Sequence, residues 1–342
     1  MHIAFCYNIK RNLPSTDPEA QADAEFDAPE TIAAIRKALE TGGHTVIEIE
    51  ANQEAYLKLY EHRKKIDIVY TIAEGYYGSI REAQISAFCD MLQIPYSYSC
   101  ALTHAISLDK ALTKKVLLYQ GIKTPAFQMF QTAKDKLRRG MRFPIILKPN
   151  AEGSSKGILD KNLVKNEKEL RERVGWLLKS FHEPVLIEEF LPGREVTVAV
   201  LGNDPPKVLP IIEQRYDMLP KEYSNFASYE VKWLWEDRLK DLSEAFHCPA
   251  PLTPTLKNKI EQICLATYKA LNCYDVARID LRLDKRGEPH ILEINTLPGM
   301  IPGHVISYLP IAMRTAGYDY NAMVLAILDT AVARLKKSGT MK

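Results

Sequence analysis

Two segments near the C-terminus set carboxylates, an amide and a guanidinium in regular alternation with apolar residues. They are Ala277-Arg278-Ile279-Asp280-Leu281-Arg282 and Ile291-Leu292-Glu293-Ile294-Asn295. Alternation of this kind is the period of a half-buried β-strand. Between them, Asp284-Lys285-Arg286-Gly287-Glu288 supplies hairpin-turn residues. A turn centred near Arg286-Gly287 puts Asp280 opposite Glu293 and Arg278 opposite Asn295. The other face of the ribbon, Ile279, Leu281, Leu292 and Ile294, reads as core. Clustered hard oxygen donors suit Mg²⁺, which takes one or two carboxylates together with nucleotide phosphates. An adjacent arginine suits charge that develops during a reaction. The same residues also suit a structural salt-bridged hairpin with no chemistry.

Two further stretches bear on phosphate chemistry. Glu152-Gly153-Ser154-Ser155-Lys156-Gly157 follows an apolar segment ending in Lys148. Its backbone N–H groups and hydroxyls can wrap phosphate oxygens, and such a loop can close as a lid. It is not the GxxxxGK[ST] pattern, and a plain surface turn has the same composition. Val185-Leu186-Ile187-Glu188-Glu189-Phe190-Leu191 reads as a strand compatible with an adenine slot, its backbone edges at Glu189 and Leu191 facing the base and Glu195 facing a ribose. An edge strand with solvated charges reads the same way.

The elements that must position these residues are legible from periodicity. Residues 2–6, 45–49 and 66–72 read as strands, the last apolar enough to be covered on both faces. Residues 31–40 form an amphipathic helix with Ile32, Ile35 and Leu39 on one side, stopped by Gly42-Gly43. This predicts a parallel α/β lobe whose strand-end loops line a crevice. Residues 8–29, rich in Pro, Asp, Glu and Ala, are long for a structureless connection and read as a mobile or functional loop. Ser107 is a suitable N-cap for a helix over 108–119. Strands are expected at 143–148, 185–189 and 195–201, and helices at 164–179, 256–271 and 321–335. An irregular stretch is expected over 211–254.

The 342 residues suffice for two or three lobes. A net charge of +2 gives no electrostatic case for nucleic acid or an anionic membrane. No apolar run is long enough to span a bilayer. The start, Met1-His2-Ile3-Ala4-Phe5-Cys6, reads as a first strand rather than a signal peptide. Cysteines 6, 89, 100, 248, 264 and 273 show no CxxC or zinc spacing and read as reduced thiols, which points to a cytoplasmic protein.

In this order, the pieces closely resemble the ATP-grasp enzymes, specifically the D-alanine–D-alanine ligase family, over about residues 66–317. The matching stretches are Leu108-Asp109-Lys110, Leu147-Lys148-Pro149 with the Glu152–Gly157 loop, Ile187 to Leu191 with Gly193-Arg194-Glu195, Tyr229-Glu230-Val231-Lys232, Ala277 to Asp280, and Leu292 to Met300. The last two are the most specific. The resemblance implies an α/β ATP-grasp fold with an N-terminal parallel α/β lobe. The lobes would run 1–103 (substrate), 104–185 (central, with the phosphate lid) and 186–342 (metal and catalytic residues). It implies ATP and two Mg²⁺ (Mn²⁺ as a substitute), small-molecule carboxylate and amine substrates, and a homodimer. Lys110 and Lys148 are similar to the phosphate-contacting lysines, and Ser154 and Ser155 to the lid. Glu188, Glu189 and Leu191 correspond to the adenine contacts and Glu195 to the ribose contact. Lys232 resembles the basic residue of the loop that closes over the γ-phosphate. Asp280, Glu293 and Asn295 resemble the metal ligands, and Arg278 the group that steadies an acyl phosphate and a tetrahedral oxyanion. Gly299, Ser307 and Tyr308 lie in a segment similar to the one that binds the acceptor carboxylate.

The departures fall on the substrate side. The family's Gly-Gly-x-Ser-x-Glu motif is replaced by Tyr7-Asn8-Ile9-Lys10 and the acidic loop, where Glu19, Glu25 or Asp27 could substitute for the ammonium-binding Glu. Glu74 stands where the family has His, with Arg81 nearby as a candidate partner for a donor carboxylate. Trp233 replaces a Tyr after the loop lysine. The final loop is longer by about two residues and contains His304, a further substrate candidate. The implied activity is amide formation between amino-acid-like substrates through an acyl phosphate, releasing ADP and phosphate, on an altered substrate pair. True D-Ala–D-Ala synthesis and a catalytically silent ATP-binding regulator are the alternatives.

Overall fold

The computed structural model describes every residue except 13, 14, 19, 20, 22, 222, 237, 238, 240–243, 304 and 342. In chain order the elements are β1 (His2–Tyr7), α1 (Pro29–Thr41), β2 (Thr45–Glu50), α2 (Ala55–His62), β3 (Ile68–Thr71), α3 (Gln84–Leu92), α4 (Ala101–Leu108) and α5 (Lys110–Tyr119). There follow β4 (Phe127–Phe130), β5 (Ile145–Pro149), β6 (Leu163–Val164), α6 (Glu167–Phe181), β7 (Val185–Glu189), β8 (Glu195–Leu201), β9 (Lys207–Val208) and β10 (Ile212–Gln214). The chain ends with β11 (Phe246–His247), α7 (Pro254–Ala270), β12 (Val276–Leu283), β13 (Pro289–Asn295), α8 (Tyr308–Thr315) and α9 (Tyr320–Lys337).

The first three strands form a parallel sheet in the order β2-β1-β3, as the strand–helix alternation predicts. Ile32, Ile35 and Leu39 of α1 pack with Ile327 and Leu328 of α9, so the C-terminal helix closes the N-terminal lobe. Buried Asp275 reinforces that closure: it accepts from the Tyr98 amide at 2.8 Å and pairs with Arg334 at 2.9 Å.

The other two sheets are antiparallel, β4-β7-β5-β6 and β11-β10-β8-β12-β13 with β9 beside β8. Each carries a helix on one face. On the first, Leu170, Val174 and Leu177 of α6 cover Ile145, Leu147, Val185 and Ile187. On the second, Ile260 and Cys264 of α7 cover Val196, Val198, Ile279 and Leu281. Because side chains alternate across a strand, the residues between these apolar ones must point the other way. Those are Ile146, Lys148 and Glu188 on one sheet, and Glu195, Arg278, Asp280 and Arg282 on the other, and all of them line one cleft.

The hairpin register is as the alternation predicts: Arg278 pairs with Asn295 and Asp280 with Glu293. Leu292 departs from expectation. The register shifts after Asp280, so Leu281 pairs with Ile291 and Leu292 is the extra residue of a bulge. Ile291 takes the core position, fully buried, while Leu292 lines the cleft. The cap expected at Ser107 also moves. Ser107 lies in the last turn of α4, and Asp109 caps α5 by accepting from the Leu112 amide at 2.8 Å. Val164 belongs to β6 rather than to α6, whose cap is Asn166. The stretch expected to be irregular holds β10, β11 and a single π-turn, Val231–Trp235.

Candidate active site

A cavity of about 90 Å³ lies between the two antiparallel sheets. A second, of about 230 Å³, runs from it toward the N-terminal lobe. Gly153, Ser154, Lys232, Arg278, Glu293 and Tyr308 line both, so the two spaces meet at these residues. That junction brings together the Glu152–Gly157 loop, Lys232 of the π-turn, the hairpin arginine and one hairpin carboxylate.

In the smaller cavity, Phe190, Leu191 and Phe226 give apolar walls and Glu189 lies alongside. Glu188 is fully buried between Lys114 at 2.5 Å and Lys148 at 2.8 Å. It therefore holds two ammonium groups in place while lining the cavity. Burial opposes the charge on Glu188, yet the two lysines hold its carboxyl below the usual range. Glu195 pairs with Arg282 at 2.7 Å on the next strand, and Arg282 also lies over the Phe190 ring. Arg282 and Lys114 carry no role in the sequence reading, although both were findable. Arg282 continues the alternation of Arg278 and Asp280, and Lys114 is four residues from Lys110 on one helix face.

At the junction, Arg278 pairs with Asp280 at 2.9 Å, Asn295 donates to Asp280 at 3.0 Å, and the Thr197 hydroxyl donates at 2.8 Å. Lys110 lies 3.4 Å from Glu293. Burial would raise Glu293, but Lys110, Lys148, Arg278 and Lys232 hold it down at about 2. Burial and the neighbouring Arg278 push Lys232 down to about 8. Among the described residues no group of three or more His, Cys, Asp or Glu comes together as a metal site. The hairpin set is two carboxylates and one amide, so an ion there takes its remaining ligands from phosphate oxygens and water.

The lid closes by identifiable contacts. Ser154 and Ser155 have φ of 50° and 59°, consecutive left-handed residues that form a tight turn. Trp233 donates from Nε1 to the Ser154 carbonyl at 3.0 Å, and Ser155 donates to the Ala227 carbonyl at 3.0 Å. The acidic loop after β1 straps the lid from the other side. Its ends pair at Ile9 and Asp27. Gln21 accepts from the Gly157 amide at 3.0 Å, Glu25 accepts from the Gly153 amide, and the Ser15 amide donates to the Tyr229 hydroxyl at 3.2 Å.

The remaining sequence candidates divide. Glu74, Gly299, Ser307 and Tyr308 line the larger cavity. Ser307 braces its loop, donating to the Gly299 carbonyl at 3.0 Å and accepting from the Ile301 amide at 3.2 Å. Arg81 does not serve as expected. Its guanidinium is taken by Glu25 at 2.7 Å, Glu152 at 3.2 Å and the Ala151 carbonyl at 2.8 Å, so it ties the acidic loop to the lid. Of the residues offered for the missing ammonium ligand, Glu25 and Asp27 both line the cavity, Glu25 held by Arg81 and Lys156. Glu19 and His304 lie outside the described residues.

Two antiparallel sheets enclosing a lidded cleft, beside a parallel lobe, define an ATP-grasp ligase. The family model for "D-ala D-ala ligase C-terminus" matches residues 112–329. A D-alanine–D-alanine ligase of Aquifex aeolicus (strain VF5) is 34% identical, covering 86% of this chain and 92% of that protein. Uncharacterized protein y4sG of Sinorhizobium fredii (strain NBRC 101917 / NGR234) is 32% identical over 80% of this chain and 77% of its own length. The solved structure of a Bacillus anthracis D-alanine–D-alanine ligase complexed with ATP superposes with a TM-score of 0.71 at 26% identity, covering 99% of each chain. The chain belongs to the D-alanine–D-alanine ligase family and is an ATP-dependent, ADP-forming ligase.

Proposed function

We propose that ATP occupies the smaller cavity, that a donor carboxylate and an acceptor amine share the larger one, and that reaction occurs where the two meet. The meeting of the cavities at Ser154, Lys232, Arg278 and Glu293 is the observation that carries this reading. Phe190, Leu191 and the Glu189 backbone would bound the adenine, Glu195 would meet the ribose, and Lys110, Lys148 and Ser155 would hold phosphates. Glu188 acts as the positioning residue for Lys148. Asp280, Glu293 and Asn295 would hold Mg²⁺, or Mn²⁺ in its place, which when bound supplies charge neutralisation for the phosphates. The hard donor set at the end of the ATP cavity fits such an ion.

The donor carboxylate oxygen attacks the γ-phosphorus and ADP leaves, giving an acyl phosphate. The neutral amine then attacks the acyl carbon, and phosphate departs with the donor's oxygen. Lys148, Lys232 and Arg278 face the charge that builds in the first step, and Arg278 the oxyanion of the second. Acyl phosphates hydrolyse readily, so Ser154, Trp233 and the strap over Gly153 and Gly157 act by excluding water. Gly299, Ser307 and Tyr308 would shape the acceptor end. Lobes at 1–103, 104–185 and 186–342 are proposed to close around this junction, with the second boundary better drawn after Glu189, since β7 hydrogen-bonds into the central sheet. Exposed Leu57, Met91 and Leu102 on the N-terminal lobe support a homodimer through that lobe. No helix among the described residues is long and apolar enough to cross a membrane, and all six cysteines are free, which supports a cytoplasmic setting.

The substrate pair is proposed to differ from two D-alanines, because Glu74, the acidic loop and Trp233 line or close the larger cavity where the sequence departs from the family pattern. ADP release with D- and L-amino acids, singly and in pairs, with mass spectrometry of the products, tests this. An amide from another pair, with D-alanine silent, is expected; D-alanyl-D-alanine formed efficiently from D-alanine alone overturns it.

A further inference from the structure

The larger cavity is acidic in the part of its wall that it does not share with the smaller one. Asp27, Glu74 and Glu82 all line it, brought from the strap, the loop after β3 and the turn before α3. Among the described residues none of the three side chains makes a hydrogen bond or an ion pair. Arg81, the nearest arginine in sequence, is committed to Glu25, Glu152 and a carbonyl. Lys156 is likewise committed to Glu152 at 2.6 Å and Glu25 at 3.5 Å. Lys10 also lines this cavity, its ammonium 4.0 Å above the Trp233 ring. A separate observation points to a ligand in the same space. Ser107 is only 6% exposed and lines the cavity, yet its hydroxyl has no hydrogen-bond partner among the described residues. A buried hydroxyl without a partner costs free energy that a bound donor group recovers.

Lys232 and Arg278 line both cavities and Lys110 pairs with Glu293 there, whereas Asp27, Glu74 and Glu82 line only the larger cavity. An amino acid therefore enters with its carboxylate toward the ATP cavity and its ammonium toward the acids. One ammonium cannot pair with all three, because Asp27, Glu74 and Glu82 each line the cavity with no ion-pair partner among the described residues. We infer that the donor is an amino acid with a second ammonium group on its side chain, seated among Asp27, Glu74 and Glu82 with Ser107 accepting one of its N–H groups. The inference rests on the ligase reading of the same cavity and names the donor's chemical class. Burial and mutual repulsion support it. Burial, then Glu82 and Glu25, raise Glu74 well above the usual carboxyl range. Burial and Glu25 push Glu82 up to about 7 against the opposing pull of Arg81 and Lys110. Burial pushes Asp27 up to about 7 against the opposing pull of Lys10. These are carboxyls short of cations, and a bound diamine relieves all of them.

The test compares ornithine, 2,4-diaminobutyrate and lysine with norvaline and norleucine, in both stereochemical forms. Binding to the full-length enzyme is read by calorimetry, and ADP release is read separately. The basic amino acids are expected to bind at least about tenfold tighter than their neutral counterparts. Glu82→Gln and, independently, Glu74→Gln are expected to reduce that ratio severalfold or more. Equal binding of basic and neutral amino acids, or a ratio unchanged in both variants, overturns the inference. Basic preference without ADP release from any amino acid upholds the cavity's charge selectivity while removing the ligase reading, so the two fail separately.

Discussion

Replacing Glu188 with Gln removes the carboxylate in direct contact with both buried ammonium groups, Lys114 and Lys148. Glu188 is fully buried, with Lys114 at 2.5 Å and Lys148 at 2.8 Å, and the amide keeps the volume while losing the charge. Breaking a buried pair by removing one partner costs about 3–5 kcal/mol, far above the 0–1 kcal/mol or so of an exposed pair, because an uncompensated charge remains. Lys114 retains the Thr124 hydroxyl at 2.9 Å and the Leu292 carbonyl at 2.7 Å, which keeps the expected loss near the lower bound. Urea unfolding should show a lowered midpoint with little change in slope. The sign with pH follows from Glu188's depressed pKa. Its contribution is present above the unfolded carboxyl value, about 4.3, and is lost as pH falls toward the folded value. The difference between wild type and variant should therefore shrink in acid. ATP should stabilise the variant more than the wild type, since phosphates give Lys148 a new partner. A variant as stable as wild type, or one that loses adenine selectivity with no loss of stability, refutes the account of Glu188 as the anchor of these lysines.

Asp280→Asn and Glu293→Gln should each abolish ADP release while leaving circular dichroism unchanged; turnover in either removes it from the proposed metal set. Arg278→Ala should lower kcat by roughly a hundredfold or more with little change in the KM for ATP, the signature of a lost transition-state donor. A full kcat takes Arg278 off the catalytic list. Lys232, pushed down to about 8, is charged below that pH and neutral above it, so the rate should fall as pH rises through about 8. Lys232→Arg should remove that limb, and a limb unchanged in the arginine variant assigns it to another group. Gly157→Ala combines a φ of 70° with a Cβ that would sit 2.6 Å from Phe181. It should loosen the lid and raise ADP release without amide formation; tight coupling in this variant contradicts the water-exclusion role.

The hairpin was legible because its register depends only on local alternation and one turn. Asp280 facing Glu293 could thus be read without the fold. Leu292 was misplaced because a bulge adds one residue with no sequence mark here, and a single inserted residue reverses the face of everything beyond it. Asp109 displaced Ser107 as the cap because α4 occupies the residues before it, a consequence of packing that propensity does not encode. The ion-pair partners of Glu188 and Arg81 are not legible from their own segments, because they are remote in sequence. Arg81 meets Glu25 across 56 positions, and Lys148 reaches Glu188 only once β5 and β7 pair. The strap was the least legible feature. Gln21 meets Gly157 across 136 positions and Ser15 meets Tyr229 across 214, so nothing within the acidic loop itself discloses what it holds.

The account turns on an acyl phosphate formed where the two cavities meet. A donor amino acid labelled with ¹⁸O in its carboxylate, turned over with ATP and an acceptor amine, reports this directly. Mass spectrometry of the released phosphate should find one ¹⁸O per amide formed, because the oxygen that attacks the γ-phosphorus leaves with it. Phosphate free of label, with the expelled ¹⁸O found in AMP or water instead, would contradict the acyl phosphate route.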